Sequence, residues 1–83
     1  MVMKIKILAF GIAKEILGGS SLKMDIAGDA ITAAGLKSLL EENYPRLKQL
    51  SSFMLAVNNG YAEGNETITQ TDEIAVIPPV SGG

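Results

Sequence analysis

The chain has 83 residues, of which 47% are apolar and 19% charged, and a net charge of −2 at pH 7. That is enough apolar content for a small globular core, and it excludes a disordered segment or a basic nucleic-acid stripe. Cysteine and histidine are both absent, which excludes disulfides, thiolate or imidazole metal sites, and Ser-His or Cys-His nucleophilic pairs within this chain.

The length points to one domain over residues 1–83. A chain of this size buries only a little over about 60% of its unfolded surface, so no volume is left for an enclosed active site beside the core. With two Phe, two Tyr and no Trp, no aromatic RNA-reading motif is present, and no nucleic-acid partner is expected. Lys14 and Glu15 interrupt the apolar start before it makes a signal sequence. No stretch reaches the roughly 20 apolar residues of a membrane span. A cytoplasmic protein with no membrane partner and no metal is the expectation, and the lack of cysteine fits a reducing compartment.

Met1 to Phe10 reads as a strand. Alternation sets Met3, Ile5, Ile7 and Ala9 on a core face, and Lys4, Lys6, Leu8 and Phe10 on the other. The second face starts charged and ends apolar. That end is either a contact surface or is covered by the helical turn Ile12–Leu17 folding back over it. Gly18-Gly19 ends the turn, since glycine accepts the left-handed cap position. Leu22, Met24 and Ile26 alternate with Ser21, Lys23 and Asp25, a half-buried strand that forms an antiparallel hairpin with the first.

The main helix is expected from about Thr32 to Tyr44. Thr32 caps it, and Ile31 with Leu36 has the spacing of a hydrophobic staple. Leu36, Leu39, Leu40 and Tyr44 form the apolar stripe, while Lys37, Glu41 and Glu42 face water. Pro45 stops the helix. Gly35 reads as a site of close packing against the sheet.

Residues 46–52 read as a connection. Phe53 to Asn58 is a strand with Leu55 and Val57 inward, Asn59-Gly60 a type I′ hairpin turn, and Tyr61-Ala62 the start of the return. Residues 63–72 are polar and turn-rich, with Ile68 as the anchor to the core. Glu73 to Ile77 is the last strand, with Ile74 and Val76 inward. This order predicts an α+β fold, a mixed sheet with one main helix packed across it.

After Ile77 come Pro78-Pro79, which stop the strand, then Val80, Ser81 and a terminal Gly82-Gly83. A frayed terminus and a presented tail both fit. Pro-Pro directly off a strand favours a presented tail, whose chemical handle is the Gly83 carboxylate.

The ending 72–83, Asp-Glu-Ile-Ala-Val-Ile-Pro-Pro-Val-Ser-Gly-Gly, resembles the C-terminus of the small, sulfur-carrying subunit of molybdopterin synthase. Residues 5–16 and Ala56-Val57-Asn58 resemble the same family, whose fold is the ubiquitin-like β-grasp. Thr71 departs from the glycine the family has there, which puts the turn type in question. The resemblance implies that an adenylating enzyme related to ubiquitin-activating enzymes uses ATP to activate the Gly83 carboxylate. A thiocarboxylate then forms, and the tail, with Gly82 and Ser81, enters the large subunit. There sulfur passes to cyclic pyranopterin monophosphate. The chain is then not catalytic alone and binds no cofactor itself. Phe10, Tyr61 and Ile77 match partner-facing apolar positions, and Lys14 matches a basic one. Other readings are another β-grasp carrier, either a thiazole-synthesis sulfur donor or a ubiquitin-like modifier, and a plain interaction module.

Overall fold

A computed structural model describes residues 1–50 and 53–78 of the chain. The elements are β1 (Val2–Ala9), α1 (Ile12–Leu17), β2 (Ser21–Ala27), β3 (Ile31–Thr32), α2 (Ala33–Asn43), a 3-10 helix (Pro45–Gln49), β4 (Met54–Val57), β5 (Gly60–Tyr61), β6 (Thr67–Ile68) and β7 (Ile74–Ile77). The main sheet has the order β2-β1-β7-β4-β5. Its two central strands are parallel, with Ile7 beside Ile74 and Ala9 beside Val76, and every other neighbouring pair is antiparallel.

Period-two alternation builds the core. Met3, Ile5, Ile7 and Ala9 of β1 are buried, as are Ile74 and Val76 of β7 and Leu55 of β4. Leu36 and Leu40 of α2 pack into the same cluster, while Leu39 and Tyr44 are partly buried at its edge. Full burial of an Ile or Leu side chain stabilises by about 1.5–3 kcal/mol, so this seam between sheet and helix dominates the packing. α1 turns Ala13 and Leu17 into the core and leaves Phe10 exposed. The turn therefore does not fold back over the apolar end of β1. Gly18 ends α1 at φ 87, and the Gly18 and Gly19 N–H groups both donate to the Lys14 carbonyl.

Four local expectations change. The close approach at Gly35 is to the helix's own cap, not to the sheet. A Cβ there would lie 3.1 Å from both Ile31 Cγ1 and Thr32 Oγ1, because Gly35 N–H donates to Thr32 Oγ1 at 3.1 Å. The hairpin turn is Asn58-Asn59 rather than Asn59-Gly60: both asparagines have positive φ, 51° and 72°, and Val57 pairs with Gly60. Asparagine tolerates this region, and Asn58 is held there by its own side-chain bonds. Residues 45–49 form a 3-10 helix that buries Leu47 completely. Lys37 and Glu41 are half-buried, while Glu42 faces water as expected, and Lys37 Nζ lies 4.9 Å from the Phe53 ring centroid, a cation–π contact.

The polar stretch after β5 caps α2. Ala33 N–H donates to the Glu66 carbonyl and Ala34 N–H to the Gly64 carbonyl, both at 2.9 Å. With the Thr32 side chain, these satisfy the first three orphan donors of the helix. β6 pairs with β3 in a separate two-stranded sheet, Ile31 opposite Ile68, which seats Ile68 in the core as expected. The Glu66 carboxylate accepts from Glu63 N–H at 2.7 Å and Gly64 N–H at 2.8 Å, which holds it below the usual carboxylate range.

Candidate functional site

The outer face of the sheet, opposite α2, carries a shallow apolar hollow of about 270 Å³ across β1, β7, β4 and β5. Its floor is Leu8, Ala56 and Ala75, its apolar rim is Phe10, Tyr61 and Ile77, and Asn59 and Glu73 complete it. The geometry follows from the register. Leu8 lies beside Ala75 across the parallel pair, and Ala56 lies between Ala75 and Tyr61. Small side chains at the centre make the hollow, and larger ones at its rim bound it. Phe10 is 51% exposed and Tyr61 64%, while Ile77 is half-buried.

Phe10, Tyr61 and Ile77, singled out in the sequence, are thus brought together. The floor residues Ala56 and Ala75 were missed, as was exposed Met54, which pairs with Ile77 across β4 and β7. The same alternation applied to β4 and β7 finds them. Lys14, on α1, is exposed and does not line the hollow. Ser81, Gly82 and Gly83 lie outside the described residues.

Two features flank β7, one at each end. Gly11, at φ 55 and ψ −133, turns the chain out of β1 in a conformation open to glycine, and a Cβ on it would lie 3.4 Å from Pro78 Cγ. At the other end, Asn58 Nδ2 donates to Asp72 Oδ1 at 2.8 Å, and Glu73 N–H donates to Asn58 Oδ1 at 2.9 Å. Asp72 also accepts from Thr69 N–H at 2.8 Å and lies below the usual carboxylate range, chiefly through that bond and then through Asn58. Thr71 has no positive φ, so the turn before β7 does not require glycine at this position.

Parallel central strands, antiparallel flanks and one main helix across the sheet make this a ubiquitin-like β-grasp protein. SAMP1 of Haloferax volcanii has the same fold, with a TM-score of 0.76 and 25% identity, covering 96% of this chain and 99% of that one. The chain belongs to the ThiS family, which matches residues 7–83. It is 41% identical over 81 residues to the molybdopterin synthase sulfur carrier subunit of Dictyostelium discoideum, covering 94% of each chain. It is 33% identical to the protein of that name from Arabidopsis thaliana, covering 98% of this chain and 84% of the relative. Among the described residues, no helix is long and apolar enough to cross a membrane.

Proposed function

We propose that this chain is the sulfur-carrier subunit of a molybdopterin synthase and acts in molybdenum cofactor biosynthesis. The observation that carries this reading is the 41% identity to a sulfur carrier subunit over nearly the full length of both chains. The fold supplies a scaffold and no catalytic constellation of His or Cys, since the chain contains neither.

The chemistry belongs to the Gly83 carboxylate. A carboxylate is a poor acyl donor, because its leaving group would be oxide. An adenylating partner of the ubiquitin-activating type joins it to AMP from ATP and releases pyrophosphate. A sulfur nucleophile then attacks the acyl carbon, AMP leaves, and a thiocarboxylate remains. Its anionic sulfur is the nucleophile delivered to the pterin in the large subunit. Gly82 and Gly83 give access, because a Cβ would crowd both the adenylating site and the acceptor pocket. The hollow bounded by Phe10, Tyr61 and Ile77 is the docking face for the large subunit. β7 ends at Ile77 on that rim, and Lys14 is available to an acidic group of the partner.

Intact mass spectrometry tests the reading. After incubation with ATP, an adenylating enzyme and a sulfur donor, the chain should gain about 16 Da, one oxygen replaced by sulfur. A variant lacking Gly83 should not. An unchanged mass of the parent chain beside an active enzyme would remove the proposal. The likeness to SAMP1, which is named a small archaeal modifier protein, supports a modifier as the second reading. In that case a tagged copy would give a ladder of lysine-linked bands on denaturing gels, and the ladder would vanish on deletion of Gly82-Gly83.

A further inference from the structure

β2 is an edge strand of the main sheet and spans seven residues, whereas the opposite edge strand, β5, has two. A long edge presents backbone N–H and C=O groups to any strand that can pair with it. Their phase is fixed by two bonds: Ala9 N–H donates to the Ser20 carbonyl at 2.9 Å, and Gly28 N–H to the Met1 carbonyl at 2.8 Å. With the β1–β2 register, Leu22, Met24 and Ile26 therefore turn their backbone groups toward β1. Ser21, Lys23, Asp25 and Ala27 turn theirs to the free edge. Lys4 N–H, donating to Gln70 Oε1 on the far side of β1 at 3.1 Å, fits the same phase.

We propose that this edge pairs with the same edge of a second copy of the chain, antiparallel, about a twofold axis at Met24. Lys23 then lies opposite Asp25 of the second copy, Asp25 opposite its Lys23, and Ser21 and Ala27 opposite each other. All four are edge-facing, so each exchanges both backbone hydrogen bonds with its opposite. Leu22 meets Ile26 of the second copy on the helix side, and Met24 meets Met24. The charges select this register. An axis at Lys23 or at Asp25 sets like charges directly opposite, which is destabilising. An axis midway between residues opposes edge-facing with inward-facing groups and forms no ladder.

Two further observations fit a second copy. Directly opposite Lys23 in its own sheet stands Lys6, so the second copy supplies the opposite charge that this position lacks across β1. An open, mostly polar depression lined by Leu22, Lys23, Met24, Asp25, Asn43 and Tyr44 lies along the same edge, so no bulky element blocks the approach of a second strand there. β1 separates β2 from β7, so the pairing leaves the outer hollow and the end of β7 open in both copies.

Sedimentation analysis of the full chain from about 10 µM to about 1 mM tests this. The parent should show a concentration-dependent monomer–dimer equilibrium. Lys23→Asp alone sets Asp opposite Asp twice, and Asp25→Lys alone sets Lys opposite Lys twice. Each should weaken dimerisation by about tenfold or more. Mixing the two single variants restores opposite charges at both positions, so a heterodimer should form, as native mass spectrometry would show. The double variant Lys23→Asp/Asp25→Lys should dimerise like the parent. Both positions are exposed, and unchanged circular dichroism spectra would confirm folding. A parent monomeric at every concentration overturns the proposal, as do single variants that dimerise undiminished or a mixture that forms no heterodimer.

Discussion

Asn58 and Asp72 are joined side chain to side chain at 2.8 Å across 14 residues of sequence. The bond ties the β4–β5 turn to the residue that leads into β7. Asp72 is held below the usual carboxylate range by Thr69 N–H and then by Asn58. A depressed folded pKa contributes stability that is fully present above the unfolded value of about 4 and is lost as pH falls through the folded value. The melting temperature should therefore drop below about pH 4 more steeply in the parent than in Asp72→Asn. The parent should exceed the variant at pH 7, with the gap narrowing in acid. A gap that stays constant with pH would show that the Asp72 charge contributes nothing. Glu66 has the same sign and is present in both proteins, so it does not disturb the comparison.

The asparagine turn separates conformation from hydrogen bonding. Asn58→Gly keeps the positive φ but removes the bonds to Asp72 and Glu73 N–H. It should cost about 1–2 kcal/mol by urea denaturation. Asn59→Gly creates an Asn-Gly type I′ turn and loses no hydrogen bond identified for the Asn59 side chain. It should be neutral or stabilising by a few tenths of a kcal/mol. Equal losses in both variants would mean that turn geometry, not the tie to β7, controls stability there.

Gly35 reverses a common expectation. Ala in place of Gly inside a helix is ordinarily stabilising by up to about 1 kcal/mol. Here the new Cβ would sit 3.1 Å from Ile31 Cγ1 and from Thr32 Oγ1. Ile31 is fixed by its pairing with Ile68, and Thr32 holds the cap bond. Gly35→Ala should therefore destabilise by about 1 kcal/mol, similar to Thr32→Ala, which removes the cap. A rise in the urea midpoint on Gly35→Ala would show that the cap can relax around the methyl group.

What could be read in the sequence depended on repetition. β1, β2 and β7 alternate long enough for period two to fix their inward faces, and α2 carries its stripe and its cap in plain sight. The parallel central pair follows from those runs together with the family resemblance. β3 and β6, at two residues each, are too short to show any period. Leu47 is buried while its neighbours Arg46, Lys48 and Gln49 are exposed, and a lone apolar residue in a polar connection shows no period. The turn slipped by one residue because Asn-Gly is the stronger local signal, while the bonds that hold Asn58 come from a segment 14 residues away. At the site, the large rim residues announced themselves. The small floor residues Ala56 and Ala75 did not, since a hollow is made by what is missing.

The outer hollow yields the prediction that bears most directly on partner binding. Ile7 is fully buried on the helix side, whereas Phe10 is 51% exposed on the outer rim. Ile7→Ala should lose about 2–5 kcal/mol of stability, because it removes buried methyl groups and leaves a cavity. Phe10→Ala should lose about 1 kcal/mol or less. Ile77, half-buried and paired with Met54, should fall between them. Affinity for a molybdopterin synthase large subunit should rank the other way. Phe10→Ala and Ile77→Ala should each weaken binding by about 2 kcal/mol, roughly 30-fold, as truncation of a desolvated anchor does. Ile7→Ala should bind normally wherever it remains folded. Urea midpoints and calorimetric titration of the three variants together separate the outcomes. If Phe10→Ala binds as the parent does, the hollow is not the docking face. If it unfolds as readily as Ile7→Ala, the exposed ring supports the fold in a way its position on the rim does not explain.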